Sequence, residues 1–233
     1  MRELSTYEEV EQEYERLFPG SPFFRVWVPR EKFLLGHSDG MGNLSFTRED
    51  GGLFGIAIGL DPYISPEWRR FSVETGSIER KGVNGLPEQS ELVDAWDCYW
   101  APTVTGGKLS GRRFSDAEIN DFLKLHAPNS SVFPGNEEIL HWIEVIEDGE
   151  LVGVGALCRW QSGNVVISSV GTHINRRRQG IGRKVMERAL SGGSHFGASF
   201  ISLGVMHSNE SAQRLYRALG FTLMHNFTYF ERR

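Results

Sequence analysis

The chain has 233 residues, enough for one large domain or two small ones. Hydrophobic residues make up 39% and charged residues 24%, the balance of a folded soluble protein, and a formal net charge of −5 argues against a broad nucleic-acid-binding surface. No apolar run approaches the ~20 residues of a membrane-spanning helix, and Met1-Arg2-Glu3-Leu4-Ser5 lacks the basic start and apolar core of a signal peptide, so the expectation is a cytoplasmic protein with neither membrane nor nucleic acid as partner. Two cysteines, Cys98 and Cys158, make no disulfide framework and read as packed thiols in a reducing compartment.

Residues 6–18 read as an amphipathic helix. Tyr7, Val10, Tyr14, Leu17 and Phe18 share a face, the glutamates mostly face water, and Pro19-Gly20 stops it. The segment 22–75 is rich in glycine and aromatics. Short strands are expected over 23–28 and 54–60, with turns at 39–43 and 49–52. Residues 76–92 are polar and turn-forming and read as a linker. This division predicts an N-terminal region over 1–92 and a second domain over 93–233.

The pattern sharpens beyond that point. A strand is expected over 95–100. Ser115-Asp116-Ala117-Glu118 has the form of a capping box, and Ile119, Phe122 and Leu123 continue it as a helical stripe. A loop with Pro128 and Pro134-Gly135 precedes a second short helix near 136–141. Strands over 143–146 and 151–159 flank Asp148-Gly149, a hairpin signal. A third strand covers 165–170. Glu144, Glu147 and His207 are further polar residues near strand ends, and Trp100, Trp142 and Trp160 read as core or as pocket lining.

A basic, glycine-containing loop then opens a helix: Thr172-His173-Ile174-Asn175-Arg176-Arg177-Arg178-Gln179-Gly180-Ile181-Gly182-Arg183. Ile181, Val185 and Ala189 form the helix's apolar stripe, and Gly192-Gly193 is the expected stop. The first turn of a helix has backbone N–H groups without intrahelical partners, and the helix dipole adds positive potential. Gly180 and Gly182 would let an anion approach those amides, and Arg177, Arg178 and Arg183 would add charge-assisted hydrogen bonds. A phosphorylated ligand suits the loop; a solvated basic turn is the plainer alternative. The spacing fits neither a P-loop nor a dinucleotide fingerprint. Further on, a strand over 200–206 leads to a helix capped by Ser208 or Asn209. It carries Ala212, Leu215, Tyr216 and Leu219, with Gly220 placed as its C-terminal stop. By periodicity alone Tyr216 is a core residue. A final strand runs from Phe221 to about Tyr229.

Two stretches resemble the GNAT superfamily of acyl-CoA N-acyltransferases. Arg177-Arg178-Gln179-Gly180-Ile181-Gly182 matches the family's Arg/Gln-x-x-Gly-x-Gly/Ala. Asn209-Glu210-Ser211-Ala212-Gln213-Arg214-Leu215-Tyr216-Arg217-Ala218-Leu219-Gly220-Phe221 matches its Asn-x-x-Ala-x-x-Leu-Tyr-x-x-x-Gly-Phe. The resemblance implies a mixed α/β (α+β) fold, a central β-sheet flanked by helices, with residues 1–92 as an α/β extension, a degenerate second lobe or a cap. It implies acetyl-CoA as co-substrate with no metal, and a primary amine of a small molecule or peptide as acceptor. The amides of Arg178 through Gly182 would hold the pyrophosphate. Val170, Gly171 and Thr172 would pair with the pantetheine arm as an added strand. Asn209 and Ala212 would flank the thioester, and Tyr216 would face its sulfur as general acid. The carboxylate that many members carry before the loop is missing here, which leaves the base open among His173, Glu144, Glu147 and water alone as proton carrier. A non-catalytic acyl-CoA sensor or scaffold is the alternative, and a homodimer is left open.

Overall fold

The computed structural model describes residues 1–81, 86–106, 109 and 111–233. In chain order the elements are β1 (Arg2–Leu4), α1 (Tyr7–Leu17), α2 (Phe23–Trp27), β2 (Phe33–Ser38), β3 (Leu44–Glu49), β4 (Leu53–Ile58), β5 (Arg70–Glu74), α3 (Thr75–Lys81) and β6 (Ser90–Pro102). There follow α4 (Asp116–His126), β7 (Ile139–Glu147), β8 (Glu150–Arg159), β9 (Val165–Thr172), α5 (Ile181–His195), β10 (Phe200–Met206), α6 (Glu210–Ala218) and β11 (Thr222–Arg232). This is the mixed sheet flanked by helices that the resemblance implies.

The chain divides into two compact units. One is Met1–Cys98, Val205–Asn209 and Leu223–Arg233; the other is Tyr99–Gly204 and Glu210–Thr222. In the first, the strand order is β1-β2-β3-β4-β5-β11-β6, mostly antiparallel with β4 and β5 parallel. Helices α1 and α2 bury Val10, Tyr14, Phe23, Phe24 and Val26. Together with Leu44, Phe46, Ile56 and Phe227 most of these form one aromatic-rich core.

That core also holds polar groups, and His225 and Glu13 are both hydrogen-bonded. His225 is buried, and its Nε2 lies 2.7 Å from the Tyr14 hydroxyl while its Nδ1 lies 2.9 Å from Glu74 Oε1. Burial raises the Glu74 carboxyl, but the bond to His225 outweighs it and leaves Glu74 below the ordinary carboxylate range. Glu13, expected to face water, is also buried. The Arg16 guanidinium at 2.8 Å lowers its pKa, and Ser38 donates to it at 2.5 Å. A buried carboxylate without such partners would cost several kcal/mol, on the order expected for an unpaired interior charge.

The second unit orders its strands β6-β10-β9-β8-β7. Strands β7, β8 and β9 are antiparallel, and β9 and β10 run parallel. The β7–β8 hairpin turns through Asp148 and Gly149, both at positive φ (51° and 84°), which matches the right-handed strand twist. The capping box forms as expected: Ser115 Oγ accepts from Glu118 N at 3.3 Å, and the Glu118 carboxylate accepts from Ser115 N at 2.8 Å. Ser115→Ala should therefore cost about 1 kcal/mol. Urea denaturation should show a lower midpoint with an unchanged slope; an unmoved midpoint would contradict that.

Several local expectations are corrected. Residues 23–28 hold the α2 helix, not a strand, because Phe23, Phe24 and Val28 all turn toward one core, a spacing that alternation cannot achieve. Residues 136–138 form turns and β7 already begins at Ile139, so no helix forms over 136–141. Within the expected linker, Thr75–Lys81 is helical and β6 starts at Ser90, while 82–85 lie outside the described residues. Gly192-Gly193 does not stop α5 but lies buried inside it. A Cβ at Gly192 would sit 2.9 Å from Leu157, and one at Gly193 would sit 2.6 Å from Ile201, so these glycines serve close helix–sheet packing. Both cysteines are buried thiols, as expected, and burial pushes Cys158 up to about 12.

Candidate functional site

The site begins with a break in β9. Ser169 sits in the strand at φ 50°, a left-handed conformation costly for a residue with a Cβ. Its hydroxyl fastens it, accepting from Val132 N at 3.1 Å and donating to Val132 O at 2.8 Å. The β8–β9 register shifts nearby, between Val154 and Ala156. On the other edge, the β9–β10 register is the single pair Val166↔Ser202. Beyond it Gly171 and Thr172 keep their β8 partners and diverge from β10, so one strand edge is available for an extended ligand. The kink itself is at Ser169.

After β9 the chain makes a 3₁₀ turn over Ile174–Arg176. His173 caps it, with Nδ1 accepting from Asn175 N at 3.2 Å. Arg178 and Gly180 then adopt positive φ (67° and 80°) and swing the chain into α5. Gly180 is the N-cap of α5 and supplies no side-chain bond to its first turn. The first intrahelical bond is Lys184 N to Gly180 O at 3.1 Å, so the amides of Ile181, Gly182 and Arg183 precede the ladder. No heavy atom lies within 4 Å of a Cβ built on Gly180. An amide cradle with an open approach and fixed positive potential results, which fits a diphosphate.

The arginines divide their work. Arg177 donates to the His126 carbonyl at 3.2 Å and so pins the loop to the end of α4. Arg183 pairs with Glu187 at 3.6 Å on an exposed surface, a contact worth little. Arg178 and Gln179 are exposed. Gly182 has a packing duty: a Cβ there would lie 3.2 Å from Leu215 Cδ2 and 3.6 Å from Thr172 Oγ1. The glycine thereby brings the loop against the helix residue that precedes Tyr216.

Helix α6 presents Gln213 and Tyr216 to the interior, while Ala212 is half-buried. Gly220 at φ 82° ends the helix, and the Phe221 amide returns to Tyr216 O at 3.0 Å. The Tyr216 ring lies 6.0 Å from Tyr99 and 5.8 Å from Phe221. Burial pushes its phenol up to about 12, so it keeps its proton at any working pH.

Asn209 and His207 belong to the first unit. His207 Nδ1 is 3.1 Å from Oδ1 of Asp97, whose side chain is buried. The carboxylate accepts, so Nδ1 carries the hydrogen of this contact. His173 has the reverse arrangement. Its Nδ1 accepts a backbone amide, so its neutral form carries the proton on Nε2. The Asp97 partnership is invisible in sequence, since 110 residues separate the two. Glu144 is taken up elsewhere: it accepts from Arg113 N at 2.9 Å and from Phe114 N at 3.4 Å, anchoring the segment before α4. Glu147 pairs with Lys184 at 2.7 Å. Trp142 is core, and Trp100 and Trp160 are half-buried. Among the described residues no cluster of His, Cys, Asp and Glu is placed to hold a metal.

With the geometry in hand, comparison with known proteins gives the family. Residues 108–221 match the Acetyltransferase (GNAT) family, and this segment of the chain belongs to it. Two solved structures share the fold across nearly the whole chain. A GCN5-related N-acetyltransferase from Sphaerobacter thermophilus has 15% identity, 97% coverage of this chain, 84% of its own and a TM-score of 0.54. A Drosophila protein has 11% identity, covers 100% of this chain and 98% of its own, with a TM-score of 0.52. A search of curated proteins returned no match.

Proposed function

We propose that the protein transfers an acetyl group from acetyl-CoA to a primary amine of a small molecule or peptide by direct attack on the thioester. The observation that carries this reading is the exposed amide cradle at Gly180, whose first-turn donors have no side-chain cap, opening the helix beside the splayed end of β9. The cradle amides from Arg178 to Gly182 would hold the diphosphate, and Val170–Thr172 would offer backbone pairing to the pantetheine. Ala212 would lie beside the acyl end.

Acetyl-CoA brings the activated acyl group. As the amine nitrogen bonds to the carbonyl carbon and the C–S bond breaks, Tyr216 donates a hydrogen bond to the departing sulfur. A thiol titrates near about 8.5, well below a phenol raised to about 12. Tyr216 therefore stabilises the thiolate mainly by hydrogen bonding rather than by full proton transfer. The amine's proton needs an acceptor, for which His173 is the candidate imidazole.

Calorimetric titration with acetyl-CoA tests the binding step. Saturable binding is expected, with a thermal shift matching about 2.7 kcal/mol of stabilisation at a hundredfold excess over Kd. No heat and no shift would overturn the reading.

A further inference from the structure

The end of α4 carries a residue that the sequence reading passed over. His126 is the last residue of the helix and is 7% exposed. Its Nδ1 accepts from Ile174 N at 3.3 Å, its carbonyl accepts from the Arg177 guanidinium at 3.2 Å, and its ring stands 4.1 Å from that of His173. Phe122 of the same helix closes the other side, with ring centroids 4.7 Å apart. A Cβ at Gly171 would lie 3.2 Å from Ala127 and 3.3 Å from Phe122, so the helix end and the end of β9 are in close contact. One histidine thus touches the chain at 173, 174 and 177, the three residues that lead into the cradle.

We propose that His126 is a positioning residue for the acyl-CoA loop: in its neutral form it accepts the Ile174 amide, and together with its carbonyl's hold on Arg177 this sets the path by which residues 178–182 present their amides. This rests on the acyl-CoA reading above. The chemistry requires the Nε2–H tautomer, because an imidazolium has no lone pair at Nδ1 to accept with. The charged and titratable groups that face the ring are His173 from the end of β9 and Arg177 from the loop. Burial first, and then these two, hold His126 below the ordinary histidine range. The dipole at the C-terminus of α4 acts in the opposite sense, favouring the cation, and it is outweighed.

The sign of the pH effect follows. A histidine whose pKa is depressed in the ordered loop is neutral there above the ordinary range, near about 6.5. Protonation then removes the bond to Ile174 and places a second cation beside Arg177. Acyl-CoA affinity supported by this contact is present above that range and is lost as pH falls through it.

Two variants of the full chain test the role. His126→Ala deletes the acceptor, whereas in His126→Asn the amide oxygen stands close to where Nδ1 was. Calorimetry with acetyl-CoA at pH 7.5 should show roughly tenfold weaker binding for His126→Ala and a loss of no more than about threefold for His126→Asn. Between pH 7.5 and 5.5 the wild type should lose affinity more steeply than His126→Asn, a comparison that cancels titration of the ligand's own phosphates. Circular dichroism and thermal melting identify variants that remain folded. If folded His126→Ala binds like wild type, or if the Asn variant keeps the wild-type pH dependence, the positioning role is wrong while the acyl-CoA reading stands. If wild type itself does not bind acetyl-CoA, the underlying reading fails instead.

Discussion

Gly180→Glu should abolish acetyl-CoA binding, weakening it by more than about a hundredfold, while leaving the protein folded. Two physical effects add. Gly180 sits at φ 80°, where a residue with a Cβ is strained by about 1–2 kcal/mol. The larger effect is electrostatic. The new carboxylate would lie at the N-terminus of α5, where helix amides and dipole favour an anion, and so would occupy the cradle itself. The diphosphate would then meet a negative charge in place of free donors. The space beyond Gly180 is open, so the side chain fits without disturbing the core. Gly180→Ala is the matched control, since it carries the backbone strain without the charge and should lose only about tenfold, the order of 1–2 kcal/mol. Calorimetry on both variants, with thermal melting to verify folding, separates the effects. Equal losses in the two would show that backbone geometry matters and that the cradle does not receive an anion. Unchanged affinity in Gly180→Glu would remove the loop from the binding site.

Tyr216→Phe should leave the acetyl-CoA Kd within about threefold of wild type and lower kcat by about a hundredfold, the effect of removing one donor from a developing anion. The ring's packing survives, because the Tyr99 and Phe221 rings lie 6.0 and 5.8 Å from its own, tilted against it, an arrangement a phenylalanine keeps. What is lost is a buried hydroxyl that burial keeps protonated. A ground-state role would raise KM with kcat unchanged, which would count against the assignment. The defect should also shrink with a thioester whose leaving thiol is more acidic, since a better leaving group needs less stabilisation.

The legible and illegible parts of the chain divide along a physical line. The candidate loop is readable because its pattern is local: Gly180 at a helix start, arginines around it, and an amphipathic helix behind. The same holds for the Ser115–Glu118 capping box and the Asp148-Gly149 turn, each a contact within three residues. Helix α6 and its Gly220 stop were readable for the same reason.

What failed depended on partners distant in sequence. Gly192 and Gly193 look like a helix stop by composition, yet they permit α5 to lie against Leu157 and Ile201. The aromatic run at Phe23 and Phe24 looks like a strand until its partners, Tyr14, Phe46 and Phe227, are known. Glu13 was assigned to water because Ser38 cannot be foreseen as its donor. At the site, His126 reads as an ordinary cation in the last turn of α4; nothing local points to the Ile174 amide. Asp97 gave no sign of His207. The motif therefore marked the candidate loop, while the residues that position it came from tertiary structure.

The measurement that tests the central claim most directly is release of free CoA from acetyl-CoA in the presence of a panel of primary amines, with products weighed by mass spectrometry. Amine-dependent release is predicted, together with a product heavier than its amine by one acetyl group and a turnover that falls in Tyr216→Phe. Tight acetyl-CoA binding with no amine-dependent release across a broad panel of small amines and peptides would contradict the claim and favour a module that binds acyl-CoA without turning it over.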